Sequence, residues 1–229
     1  MSLSSNNNMA RILVLNPNSS EKVTNSIRRS VAGLAATTNH QLVFERLPEA
    51  PLGIESDQDV ETVAPMVRER ALAGDADALV IACFSDPGVE DTRASVTDIP
   101  VIGIAEAGYY AALQFGRRFG VVSLGPASIA RHAVRIAGLG ITARLAGDRS
   151  ADLTVEQSGD EGLSRAKVIE TGKALAGRDG ADVIVLGCAG MGNQRPFLQQ
   201  AIGLPVIDPV QAAIAAAISA LNLEYIAKA

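Results

Sequence analysis

The stretch ADALVIAC at residues 76–83 decides the fold, because it returns almost unchanged as ADVIVLGC at residues 181–188. Each copy is a short, continuously apolar run, which is typical of a strand buried on both faces of a parallel sheet. Each run ends at a cysteine. In both copies a second apolar run follows a proline 17 residues after that cysteine, at Pro100 and at Pro205. The chain therefore carries one arrangement of elements twice.

A further correspondence lies upstream, where LNPNS at residues 15–19 matches LGPAS at residues 124–128. Three such matches in the same order indicate an internal duplication rather than chance reuse of strand-turn-helix units. We therefore predict two similar lobes, one over residues 11–115 and one, with the C-terminal helix, over residues 116–229. Residues 1–10, MSLSSNNNMA, are a polar leader that we expect to be disordered.

Short apolar, β-branched runs alternate with helical spacing along the chain. The predicted strands cover residues 11–15, 42–47, 78–82, 101–104, 120–124, 143–145, 183–186 and 206–207. The predicted helices cover residues 21–36, 60–73, 129–137 and 164–176, with a last Ala-rich helix from Val210. The predicted fold class is α/β: two similar lobes of parallel sheet flanked by helices, related by a pseudo-twofold internal duplication, with the active site in the cleft between them.

The composition excludes several classes of function. The 229 residues carry a net charge of −5, with 48% hydrophobic and 3% aromatic residues. An acidic chain with few aromatic residues is a poor match for nucleic acid or an anionic membrane, and it indicates a small-molecule substrate instead. No apolar run reaches the length of a membrane-spanning helix, and the first ten residues lack the pattern of a signal peptide. We therefore expect a cytoplasmic protein whose two cysteines are thiols.

Cys83 and Cys188 each follow a predicted buried strand, at the sheet edge where parallel α/β proteins bind ligands. If the lobes face each other, the two thiols approach one cleft from opposite sides. Inverting a carbon that bears hydrogen needs one group to remove a proton from one face and another to return one to the opposite face. A thiol before a turn into a helix is expected to be biased toward thiolate. The pattern predicts a catalytic cysteine pair.

Other readings of the cysteines remain open. A single cysteine after an apolar strand is more often a small buried hydrophobe than a catalytic group, and the matched repeat positions are what favour catalysis here. A permanent disulfide does not suit the expected compartment. Two cysteines with only His40 and His132 supply no zinc cluster, so no metal and no cofactor are predicted. We place both histidines at the surface.

Four motifs resemble one known family. They are RILVLNPNSS at residues 11–20, IACFSDPG at residues 81–88, PVIGIAEA at residues 100–107 and VIVLGCAGM at residues 183–191. Together they are similar to the hydantoin and allantoin racemases of the aspartate/glutamate racemase superfamily, from residue 11 to about residue 221. The resemblance implies a cofactor-independent racemase of 5-substituted hydantoins or allantoin, with Cys83 and Cys188 as the acid–base pair, and it implies a homo-oligomer.

The residues after each cysteine bear on the substrate. Amino-acid racemases of this superfamily usually carry Asn-Thr after the first cysteine and Thr with His or Glu after the second, whereas this chain has Phe84-Ser85 and Ala189-Gly190. Small apolar turns suit a neutral planar ring better than a zwitterion. An aspartate or glutamate racemase, or a maleate-type cis–trans isomerase, is the alternative on the same scaffold. A non-catalytic protein that binds a small metabolite is the alternative of another class.

The substrate-binding residues come from the turns at the same sheet edge. By resemblance, Asn16, Asn18 and Ser19 line the pocket, although a local Asn-Pro turn with a serine helix cap explains them equally well. Ser85 offers a donor to a ring carbonyl. The glycine-rich turn after the second cysteine exposes backbone N–H groups, so we also assign Ala189, Gly190 and Met191 to substrate binding. We expect Asp86 to cap the helix that follows it.

Overall fold

The computed structural model describes residues 9–226 and contains two four-stranded sheets whose strands are all parallel. The strands of the first sheet are β1 (Arg11–Asn16), β2 (Gln41–Arg46), β3 (Ala78–Ile81) and β4 (Val101–Gly103). Those of the second are β5 (Phe119–Ser123), β6 (Leu145–Ser150), β7 (Val183–Leu186) and β8 (Val206–Ile207). The strand orders, β2-β1-β3-β4 and β6-β5-β7-β8, are the same order repeated. The α/β fold class and the internal duplication are confirmed.

Helices cover the faces of both sheets. In the first half they are α1 (Glu21–Ser30), α2 (Ala32–Ala35), α3 (Asp57–Leu72), α4 (Val89–Ser95) and α5 (Ile104–Phe115). In the second half they are α6 (Pro126–Gly138), α7 (Val155–Ser158), α8 (Glu161–Gly177), α9 (Arg195–Ile202) and α10 (Pro209–Asn222), with 3₁₀ turns at Thr142–Arg144 and Ala189–Gln194. Over residues 9–226, no helix is both long and apolar enough to cross a membrane.

Local sequence signals explain where the helices begin. Ser20 precedes α1, and its hydroxyl accepts a hydrogen bond from the backbone N–H of Val23 at 3.3 Å. Ser56 and Asp59 form a reciprocal capping box at the start of α3. Such caps satisfy N–H groups that the first turn of a helix leaves without partners. These caps fix where α1 and α3 begin.

The structure differs from the sequence prediction at several elements. The strand expected at residues 143–145 is a 3₁₀ turn, and β6 runs over Leu145–Ser150 instead. No bounds were predicted for the helices α4, α5, α7 and α9; α5 carries so many apolar residues that no polar face marks it as a helix. A disordered leader was expected over residues 1–10, and its residues 1–8 lie outside the described residues.

Two helices join the halves. The helix α5 leaves β4 of the first sheet but lies against β7 and β8 of the second, and α10 leaves β8 but lies against β3 and β4. Gly108 allows this close approach, because a Cβ atom there would lie 3.0 Å from Pro209 and 3.2 Å from Val185. One apolar core consequently contains residues of both sheets. The division at residues 115 and 116 stays a prediction.

Strand register brings the functional turns to one edge in each half. Leu15 of β1 lies opposite Ile81 of β3, and Val122 of β5 lies opposite Leu186 of β7. The paired strands therefore end at the same level. The turn after β1 lies beside the turn that carries Cys83, and the turn after β5 lies beside the turn that carries Cys188. These turns face one another between the halves.

Gly88 ends the turn that begins at Cys83, and it has φ +68°. A Cβ atom at this position would lie 2.7 Å from the carbonyl oxygen of Ala64 in α3. Left-handed backbone is costly for residues with a Cβ, and the contact with rigid backbone adds a second penalty. Gly140 has nearly the same φ, +71°, but its Cβ would meet nothing within 4 Å.

We predict that Gly88→Ala lowers the free energy of unfolding by about 1–3 kcal/mol more than Gly140→Ala does. Both variants introduce left-handed alanine, whereas only the first also forces a side chain into α3. Urea denaturation followed by circular dichroism measures the difference. Equal losses in the two variants would show that the approach of α3 to this turn is not tight.

Candidate active site

The two cysteines lie on one cavity between the halves. Cys83 follows β3 and Cys188 follows β7, and both line a cavity of about 30 Å³. The first half contributes Asn18, Val23, Ile54, Ala82, Phe84 and Ser85 to its wall, and the second contributes Leu124, Ser128, Arg131, His132, Val155, Gly187 and Ala189. Both cysteines are free thiols. The arrangement brings one thiol from each half to the same cavity.

The two thiols have matching backbone partners. The backbone N–H of Ser85 faces the sulfur of Cys83, and the backbone N–H of Gly190 faces the sulfur of Cys188. Nevertheless, burial raises the pKa of Cys83 to about 12, and burial also raises the pKa of Cys188. The expectation of thiols biased toward thiolate is therefore wrong for this structure. Loss of water around the sulfur outweighs the hydrogen bonds that stabilise its charge.

Cys188 has an additional hydroxyl partner. Its sulfur lies 3.2 Å from the Oγ atom of Ser158, at the end of α7. The Ser158 hydroxyl also donates to the carbonyl oxygen of Val155 at 2.6 Å. Because a hydroxyl has one hydrogen, that bond leaves the Ser158 oxygen to accept from the Cys188 thiol. Rotation of the same hydroxyl would instead give a donor to a Cys188 thiolate.

The turn after β1 is held mainly by its own side chains. The Asn16 amide donates to Asn18 Oδ1 at 2.8 Å and to Thr24 Oγ1 at 3.0 Å. Asn18 lies on the cavity wall, whereas Asn16 and Ser19 do not. The backbone N–H of Ser19 donates to the carbonyl oxygen of Pro51 at 3.0 Å. Among these three candidates, the structure brings only Asn18 to the two thiols.

The candidates beside the cysteines divide in the same way. Ser85 and Ala189 line the cavity, while Gly190 and Met191 are buried behind it. The carbonyl oxygen of Gly190 accepts a hydrogen bond from Ser26 Oγ at 3.1 Å, and Met191 is fully buried in the core. The position at 190 has no room for a side chain, because a Cβ atom would lie 2.5 Å from Ser158 Oγ.

His132 is buried, so its expected surface position is wrong. Its ring lines the cavity and meets the Phe84 ring edge-on, with 4.9 Å between centroids. Nδ1 lies 2.9 Å from Asp148 Oδ2 and 3.0 Å from Ser123 Oγ, and the Ser123 hydroxyl also donates to Asp148. The sequence signal was a histidine on the inner face of α6, but helical spacing alone does not tell which face is buried.

Arg131 is a second residue that sequence reasoning missed. Its side chain reaches from α6 into the cavity wall and is only 13% exposed. Nε donates to Ser85 Oγ at 3.3 Å, and Nη1 donates to Asp57 Oδ1 at 3.2 Å. Arg131 lies near the start of a predicted helix, and nothing in the sequence around it indicates that its side chain contacts the other half.

Asp86 caps a helix other than the one expected. Its carboxylate accepts the backbone N–H groups of Ala105 and Glu106 at 2.9 and 3.0 Å, which are in α5 rather than in the following α4. Burial raises the pKa of Asp86 to about 6, and these hydrogen bonds oppose the shift. Asp86 therefore fixes the start of α5 from the turn that carries Cys83.

Comparison with known proteins gives a consistent result. A family model described as Asp/Glu/Hydantoin racemase matches residues 12–217. A hydantoin racemase of Pseudomonas sp. (strain NS671) is 34% identical over 210 residues, covering 89% of this chain and 83% of that protein. A hydantoin racemase of Paenarthrobacter aurescens is 36% identical over 228 residues, covering 94% and 92%. The structure of the allantoin racemase from Klebsiella pneumoniae superposes with a TM-score of 0.89 at 32% identity, covering 96% of this chain and 90% of that one.

The raised pKa values predict thiols that react slowly in the folded protein. Alkylation by iodoacetamide requires the thiolate, so its rate should rise about tenfold per pH unit from pH 7 to pH 10 without levelling off. In urea the same protein should level off near pH 8.5, the ordinary value for cysteine. Mass spectrometry of the alkylated peptides measures both rates. A native rate that levels off below pH 8.5 would contradict the effect of burial.

The buried pair of His132 and Asp148 predicts a loss of stability. Asp148→Ala should lower the free energy of unfolding by about 1–3 kcal/mol, because it leaves His132 Nδ1 and the Ser123 hydroxyl without their carboxylate. Asp98→Ala, at an exposed loop position, is the control and should change it by less than about 0.5 kcal/mol. Urea denaturation measures both. Similar values for the two variants would show that the pair contributes nothing.

Proposed function

The chain belongs to the Asp/Glu/Hydantoin racemase family, which makes it an isomerase, and from this premise we propose that it racemises a hydantoin-type ring without a cofactor. The ring is a 5-substituted hydantoin or allantoin. One observation carries the proposal: two free thiols from equivalent positions of the two halves line one cavity. The motif resemblance found in the sequence is confirmed at the level of the family.

The proposed reaction is proton transfer by two bases. One cysteine, as thiolate, takes the proton from the ring carbon next to a carbonyl, and an enolate forms. The other cysteine, as thiol, gives a proton to the opposite face of the same carbon. The roles exchange when the other enantiomer is the substrate. Positioned acid–base groups of this kind accelerate proton transfer by roughly 10²–10⁴-fold.

The cavity wall supports a neutral ring over a free amino acid. Its apolar part includes Ile54, Phe84 and Val155, and its uncharged polar groups are those of Asn18, Ser85 and Ser128. Within residues 9–226, no Asp or Glu lines the cavity, so the α-ammonium group of an amino acid would be buried without a counter-charge. The missing counter-charge argues against an aspartate or glutamate racemase, although Arg131 on the same wall could pair with a carboxylate.

Binding of the ring requires the wall to move. At about 30 Å³ the cavity holds one or two water molecules. The segment around Ile54 closes it from the first half, and Glu55 Oε1 accepts the backbone N–H of Val155 in the second half at 2.8 Å. We infer that the substrate enters by parting this contact, because Glu55 is exposed and water can replace its hydrogen bond.

Two further expectations belong to this proposal. Free thiols at both cysteines agree with a reducing compartment, which supports a cytoplasmic location. A homo-oligomer is supported by the groove between α5 and α10, of about 690 Å³, beside which Tyr110 and Phe115 are 43% and 61% exposed. Light scattering on the purified protein measures the oligomeric state.

The proposal predicts what each thiol does. In deuterated water the wild-type protein should racemise single enantiomers of allantoin or of a 5-substituted hydantoin and introduce deuterium into the product. Cys83→Ser and Cys188→Ser should each lower racemisation by about 10²-fold or more. Each should still exchange the ring hydrogen of one enantiomer, because one base remains on one face. Optical rotation and mass spectrometry measure the two processes.

A protein-free sample corrects for spontaneous racemisation, and circular dichroism checks that the variants fold. Wild-type protein that neither racemises nor exchanges any such ring would refute the proposal. Turnover of free aspartate or maleate would favour the alternative enzymes of this scaffold. Tight binding of the ring by the doubly substituted protein, with no exchange by the wild type, would favour a binding protein.

A further inference from the structure

The proposed reaction keeps one negative charge in the cavity throughout. When the thiolate takes the proton, the C–H bond breaks, an S–H bond forms and the electron pair moves to the carbonyl oxygen of the enolate. When the second thiol reprotonates the carbon, its S–H bond breaks and the pair remains on that sulfur. The charge therefore passes from sulfur to oxygen to sulfur. A buried charge without a counter-ion costs several kcal/mol.

Arg131 is the only Lys or Arg that lines the cavity within residues 9–226. Its guanidinium has five N–H donors, and four are engaged: with Ser85 Oγ at 3.3 Å, the Glu55 carbonyl oxygen at 3.3 Å, Asp57 Oδ1 at 3.2 Å and Ser128 Oγ at 3.4 Å. The remaining donor is on Nη2 and has no partner among those residues. Arg131 is thus a cation on the cavity wall with one donor that these four contacts leave free.

We propose that Arg131 is the counter-ion of this charge, first at the Cys83 thiolate and then at the enolate oxygen of the ring. The role at the Cys83 thiolate rests on the lining of the cavity alone, whereas the role at the enolate oxygen rests on the proposed function. Arg131 would then be a catalytic residue that touches the substrate, in addition to the two cysteines. Stabilising a developing oxyanion in a dry site is among the largest contributions that an enzyme makes.

The charged groups around each thiol support an unequal pair. Apart from burial, Cys188 and Asp86 raise the pKa of Cys83, and Arg131 opposes them with a smaller effect that lowers it. Cys188 faces the Glu55 carboxylate, which raises its pKa. His132 lines the same cavity but is bonded to Asp148. Within residues 9–226, the one Lys or Arg on the cavity wall therefore acts on Cys83.

The internal duplication supplies a matched control. Lys22 in α1 is the counterpart of Arg131, separated from it by the 109 residues that also separate LNPNS from LGPAS. Lys22 bridges to Asp160 at the start of α8, at 3.2 Å, as Arg131 bridges to Asp57 at the start of α3. Lys22 is 47% exposed and does not line the cavity. A Lys22 variant therefore loses an ion pair between the halves but no residue of the cavity wall. It serves as the control for the Arg131 variants.

The first experiment measures the Cys83 thiol without any substrate. In the Cys188→Ser background Cys83 is the one remaining cysteine, so alkylation by iodoacetamide reports on it directly. Adding Arg131→Gln should slow alkylation at pH 8 about threefold or more, because a nearby cation favours the thiolate. Arg131→Lys should restore most of the rate, and Lys22→Gln should leave it unchanged. Equal rates with and without Arg131→Gln would overturn the proposal.

The second experiment measures turnover with both cysteines present. Arg131→Gln should lower kcat for both enantiomers on the order of 10²-fold with little change in KM, and Lys22→Gln should match the wild type. If Arg131→Gln does not fold, Arg131→Lys is used, and its kcat should fall at least about tenfold because ammonium cannot reproduce the planar fork. A rise in KM alone, or wild-type turnover, would overturn the role at the enolate. If the wild type racemises no ring, the proposed function fails, and the alkylation rates still decide the counter-ion.

Discussion

The exchange of helices between the halves is the constraint on which the site depends. Because α5 packs on the second sheet and α10 on the first, the two sheets share one apolar core and cannot turn independently. The carboxyl ends of β3 and β7 are thereby fixed on opposite sides of one cavity. Proton transfer is effective only when reacting atoms are held within about 3–3.5 Å of one another. The geometry of the thiols is therefore set by packing that lies far from them.

Burial gives the site its chemistry and determines which partners it needs. Removal of water raises the pKa values of both thiols, which keeps them protonated near neutral pH and makes a thiolate costly. The buried polar groups around the thiols have hydrogen-bond partners. Asp86 accepts two backbone N–H groups of α5, and His132 is bonded to Asp148. In such an environment one cation has a large effect, because water does not screen it.

The duplication is symmetric in the backbone and asymmetric in the side chains. Both sulfurs face the N–H group two residues further on, in Ser85 and in Gly190. Around them the copies differ, since Val23 in α1 corresponds to His132 in α6 and Lys22 corresponds to Arg131. Within residues 9–226, the second half thus supplies the histidine and the arginine of the cavity wall. In the proposed reaction, two thiols with equivalent positions but different neighbours suit a substrate whose two faces are not equivalent.

The sequence by itself determined the α/β class, the internal duplication and the candidate cysteine pair. Continuous apolar strands and a repeated cysteine context are local patterns that can be recognised in the sequence alone. It also named Asn18, Ser85 and Ala189, which the structure places on the cavity wall. Only the tertiary structure decided that Asn16 holds its own turn, that Met191 belongs to the core and that Asp86 caps α5. Likewise, Arg131 and His132 enter the site through the facing of two halves. That facing depends on side chains more than 70 residues apart, and no local periodicity encodes it.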